Sequence, residues 1–119
     1  MQRLFRATLN TLNGLRAAAA SEAAFRQEVF TLALAVPLAI LIGADNWTRL
    51  AMIIAVVAVM VVELLNTAIE KLSDRVTLDH DPLIGRVKDM GSAAVGICML
   101  VGGAVWLLAI WDRIAAMLG

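Results

Sequence analysis

Residues 90–111 read "MGSAAVGICMLVGGAVWLLAIW", and their reading decides the fold. These 22 residues carry no charge, and a membrane-crossing α-helix needs about 20. Trp106 and Trp111 mark one end of the run, where amphipathic indoles favour the lipid–water boundary. Irregular backbone is not tolerated against lipid, so a chain built round such a run is expected to be an all-α membrane protein. Composition points the same way. Hydrophobic residues make up 61% of the 119 residues, against about 45–50% in soluble domains, and the mean hydropathy is +0.85. A core this small cannot hide that excess. The length suits one domain, residues 1–119.

Working outward, Leu50–Ile69 is a second run of spanning length. Its first 13 residues, Leu50 to Val62, carry neither charge nor amide; Glu63 and Asn66 then appear inside it. Val29–Gly43 is shorter, 15 residues with Pro37 in the middle. It reaches spanning length only with part of "SEAAFRQE" (21–28) or "ADNW" (44–47), and Pro37 is expected to kink it. Ser21 is a candidate helix cap. Residues 2–20 place Phe5, Leu9 and Leu12 at helical spacing among Arg3, Arg6, Asn10 and Asn13, which suits a helix lying in the headgroup plane. The expected organisation is a surface helix at about 2–20 and spans at about 26–46, 49–70 and 90–112. Three spans put the termini on opposite sides. Eight of the ten Lys and Arg residues fall on the N-terminal side or in the 70–89 loop; only Arg49 and Arg113 lie opposite. That bias predicts a cytoplasmic N-terminus and 70–89 loop, with the C-terminus outside. Small residues recur every fourth position at Ala35, Ala39 and Gly43 and at Ala94, Cys98 and Gly102, allowing close helix contact. One cysteine and one histidine make neither a disulfide framework nor a usual zinc site. Cys98 reads as a packing residue, and no nucleic-acid partner is expected.

The chemistry gathers at "VVELLNTAIEKLSD" (61–74). At 3.6 residues per turn, Glu63 and Glu70 differ by about 20° around the helix, and Asp74 returns to the same bearing. Asn66 and Thr67 flank that stripe. One helix face thus carries a carboxylate at membrane depth, an amide, then carboxylates about 10 Å further out. Intramembrane acids usually serve a function, and a desolvated carboxylate is suited to take a proton from a lipid hydroxyl. Clustered carboxylates favour a hard divalent cation, and Mg²⁺ pairs one or two of them with substrate phosphates. Glu22, Glu28, Lys88 and Asp89 approach the same interface from neighbouring segments. Glu70 and Asp74 read equally well as a solvated helix end, and Asp79, His80 and Asp81 read as loop surface before ligands. There is no GxxxxGK[ST], GxGxxG, HRD or DFG motif.

The blocks "SEAAFRQE", "VELLNTAIEKLSDR" and "GRVKDMGSAAV", in this order and spacing, resemble the small prokaryotic diacylglycerol kinases, integral membrane lipid kinases. The resemblance runs from about Gly14 to Gly96. It implies a homotrimeric bundle in the bacterial inner membrane that transfers the ATP γ-phosphate to diacylglycerol, giving phosphatidic acid, with Mg²⁺ as cofactor. Glu63 would be the general base, beside Asn66 of the E-x-x-N-x-x-x-E motif. Glu22 and Glu70 would hold Mg²⁺. ATP would meet Arg3, Asn10, Glu22, Glu70, Asp79, His80, Asp81, Lys88 and Asp89. The lipid would meet Arg3, Arg16, Phe25, Arg26, Gln27, Glu28, Glu63 and Ser92. Ser21, Ala19 and Asn10 depart from the family's Asn, Trp and Tyr. Undecaprenol is an alternative acceptor on the same fold. Outside the kinases stand a proton-relay subunit using Glu63 and a structural protein in which Glu63 and Asn66 join helices.

Overall fold

The computed structural model describes all 119 residues, and they form four α-helices without strands: α1 (Gln2–Ser21), α2 (Ala23–Ile42), α3 (Asn46–Val76) and α4 (Pro82–Leu118). α2, α3 and α4 are each long and apolar enough to cross a membrane. α1 and α2 are separated by one extended residue, Glu22 (φ −113°, ψ 107°). Ser21 does not cap α2, contrary to expectation: it ends α1, where its hydroxyl donates to the Ala17 carbonyl at 2.7 Å. Arg26 closes the gap instead, its guanidinium donating to the free carbonyls of Ala19 (2.8 Å) and Ala20 (3.3 Å).

Pro37 lies inside α2 without ending it. The turn at 43–45 is tight. A Cβ on Gly43 would run into the Arg49 side chain, which passes over it to donate to Ile40 O (3.1 Å) and Asn46 Oδ1 (2.9 Å). Asp45 caps α3 by accepting from the Thr48 N–H at 2.8 Å, and that bond holds its carboxyl below the usual range. Asp81 caps α4 by accepting from Leu83 N (2.9 Å) and Ile84 N (3.2 Å), with Pro82 in the first turn.

α3 packs most extensively against α4 and next against α2; α2 and α4 touch little, and α1 rests lightly on α2. The α3–α4 pairing is antiparallel. Met52 faces Trp106, Ala55 faces Gly102, Asn66 faces Gly91 and Asp74 faces Lys88. Trp106 donates its indole N–H to Met52 O at 2.9 Å, so this partly buried donor is not left bare. Ala39, Met52 and Ala109 form the small core. Only 10 of 119 residues are buried, so most apolar surface faces outward, as a bilayer requires. α3 has 31 residues and α4 has 37, about 46 and 55 Å at helical rise. A hydrocarbon core is about 30 Å thick. Each of the two helices is therefore longer than such a core is thick.

Candidate active site

α3 arranges the carboxylate face. Glu63 is half-buried where α3 meets α2, close enough to Glu28 for the two carboxyl groups to interact directly. Carboxyl groups that close repel unless a proton or cation intervenes. Glu28 borders an apolar cavity of about 480 Å³ lined by Leu34, Val59, Met60, Met99 and Trp106. A deep carboxyl pair thus stands beside a space suited to hydrocarbon.

One turn further out, the Asn66 amide donates to Glu70 Oε1 at 3.2 Å. Its own oxygen, Oδ1, is buried with no donor. It occupies the place a Cβ on Gly91 would take, so α4 approaches α3 here only because residue 91 is glycine. Glu70 itself is exposed. Asp74 follows, accepting from Lys88 Nζ of α4 at 2.6 Å. Glu22, at the α1–α2 break, pairs with Lys71 of α3, Nζ to Oε1 2.6 Å. The Lys71 hydrogen bond holds the Glu22 carboxyl below its usual range, against a smaller opposing effect of burial. Glu22 therefore reaches α3 at the residue after Glu70.

Glu22, Glu28, Glu63, Asn66, Glu70 and Lys88 are thus brought to one end of the bundle. Asp89 and Ser92 sit exposed on the first turns of α4, beside Lys88 and Gly91. Other expected site residues are not gathered. Arg3, Asn10 and Arg16 are exposed on α1 without side-chain hydrogen bonds. Asp79 and His80 are exposed in the 77–81 linker, and Asp81 is engaged as a cap. Arg26 is bonded to α1; Phe25 is half-buried and Gln27 exposed on α2. Sequence reasoning named neither Lys71 nor Asp74 as a partner of these residues, because each pair joins separate elements. No three acidic, His or Cys side chains gather tightly enough to hold a metal alone. Glu22 and Glu70 carry oxygen donors of the type a hard divalent cation takes, and each is engaged with a protein partner here, Glu22 with Lys71 and Glu70 with Asn66.

Comparison with known proteins joins this geometry to one family. The sequence profile described as prokaryotic diacylglycerol kinase matches residues 9–110. The chain is similar to the diacylglycerol kinase of Escherichia coli strain K12, 45% identical over 111 residues, covering 93% of this chain and 91% of that protein. It is 41% identical over 106 residues to that of Pseudomonas aeruginosa, covering 89% and 86%. With that of Haemophilus influenzae it shares 40% identity over 103 residues, 87% of each chain.

Proposed function

The chain belongs to the prokaryotic diacylglycerol kinase family, and on that premise we propose that it transfers the ATP γ-phosphate to the free hydroxyl of diacylglycerol, giving phosphatidic acid and ADP. The observation that carries the reading is the single face of α3, which runs from Glu63, beside the Glu28 that borders an apolar cavity, to Glu70 and Asp74, both exposed. Such a face suits a reaction that joins a lipid alcohol to a water-soluble phosphate donor.

Glu63 takes the hydroxyl proton as the oxygen attacks the γ-phosphorus, with Glu28 beside it. Asn66 fixes the rotamer of Glu70 through its amide hydrogen bond. Glu22 and Glu70 would hold Mg²⁺, which when bound screens the phosphate charge. Lys88, drawn from Asp74, and Asp89 approach the nucleotide from α4. Arg3 and Asn10 of α1 and the 77–81 linker, with Asp79, His80 and Asp81, border it. Arg16, Phe25, Arg26, Gln27 and Ser92 line the lipid side. The protein works in the bacterial inner membrane as a homotrimer, N-terminus and 70–89 loop in the cytoplasm.

The test is transfer of labelled phosphate from ATP–Mg²⁺ by purified protein in mixed micelles, with diacylglycerol and undecaprenol offered together. Label is expected in phosphatidic acid. Label chiefly in undecaprenyl phosphate would overturn the acceptor, and label in neither would overturn the reaction.

A further inference from the structure

Lys71 is the basic side chain at the site to which phosphate transfer gives no task. It follows Glu70 in α3, yet its ammonium turns to Glu22, Nζ to Oε1 2.6 Å. This is the only side-chain hydrogen bond or ion pair that ties the α1–α2 break to α3. The two groups stand in a groove of about 420 Å³ between α1 and α3, with Ala18, Leu64 and Ala68 among its lining. The Lys71 side chain is 63% exposed and that of Glu22 22%, so the ammonium leaves into water while the carboxylate stays half-buried.

A magnesium-sized ion on Glu22 would lie about 2 Å from a carboxylate oxygen. The ammonium already sits 2.6 Å from Oε1. Two cations that close repel strongly, and the divalent one is held harder. We propose that Lys71 is the resident counter-ion of Glu22: it fixes the carboxylate against α3 until a divalent cation binds there, and that cation displaces it. Lys71 is then a positioning residue, keeping Glu22 at the α3 surface and moving away as the site fills. This rests on the reading of Glu22 as a metal ligand.

The experiment uses the full chain in non-ionic detergent micelles with a non-hydrolysable ATP analogue, whose phosphates supply the remaining metal ligands, and without lipid substrate. Mn²⁺ is the probe, and the readout is the broadened electron-paramagnetic-resonance signal that appears only with protein, over the Mn²⁺–nucleotide signal measured without it. Removing a half-exposed ion pair frees little energy, so Lys71→Met and Lys71→Gln are each expected to bind Mn²⁺ about two- to fivefold more tightly than wild type. Lys71→Arg keeps the charge and is expected to stay at wild-type affinity, while Glu22→Gln loses the site. If Glu22→Gln loses Mn²⁺ but the neutral Lys71 variants bind as wild type or more weakly, the counter-ion role is overturned and the metal reading stands. Tightening by Lys71→Arg equal to that by Lys71→Met would also overturn it. If wild type binds no Mn²⁺, or Glu22→Gln binds it unchanged, the metal reading fails and the counter-ion role with it.

Discussion

At Gly91 a missing carbon decides whether Asn66 can hold Glu70. The Asn66 oxygen occupies the space of a Cβ there, and its amide nitrogen bonds Glu70 at 3.2 Å. Gly91→Ala is therefore expected to push the amide aside. Overpacking costs about 1–3 kcal/mol; a short side chain that can swing should keep the cost near the lower figure. The larger effect falls on turnover, expected to drop at least about tenfold as Glu70 loses its fixed rotamer. Thermal midpoint and phosphate transfer measured on the same preparation check this, and unchanged turnover would show that the Asn66–Glu70 bond is idle. The stripe of Glu63, Asn66, Glu70 and Asp74 was legible from spacing alone, since one helix sets it. The pairs Lys71–Glu22 and Asp74–Lys88 were not, because they depend on how separate helices align.

Helix ends obey different physics from membrane spans. Hydropathy places the polar segment at 70–89, yet α3 continues to Val76 and α4 begins at Pro82. A helix satisfies its own backbone in lipid and in water alike, so it stops where caps and breakers stop it. Asp81 and Pro82 start α4, and Asp45 starts α3, each carboxylate accepting from the first free N–H groups of its helix. Asp45 gives a pH prediction. Its carboxyl is held below the ordinary range by the Thr48 N–H. Its charge therefore stabilises the fold above the unfolded-state pKa, and that contribution is lost as pH falls through the lower folded-state value. Asp45→Asn keeps a capping oxygen without the charge. Thermal midpoints are expected to fall more steeply below about pH 4 in wild type than in Asp45→Asn. Parallel slopes would mean that the cap acts without its charge.

For the whole molecule, the sparse burial and the outward apolar faces are one property. Three helices in a bilayer need little interior; they need matched contacts at Gly91, Gly102 and Ala39 and a polar end where two solvents meet. The antiparallel α3–α4 pair brings that end together: Lys88 comes to the acid face because the 77–81 linker returns the chain beside Asp74. The central claim is that Glu63 removes the proton from a lipid hydroxyl, and its most direct test is Glu63→Gln. The variant keeps the size and polarity of the side chain, so it is expected to fold and to bind ATP–Mg²⁺ as wild type does. Its production of phosphatidic acid is expected to fall about 10²- to 10⁴-fold, the usual contribution of a positioned base. A folded Glu63→Gln protein that phosphorylates diacylglycerol at the wild-type rate would contradict the account.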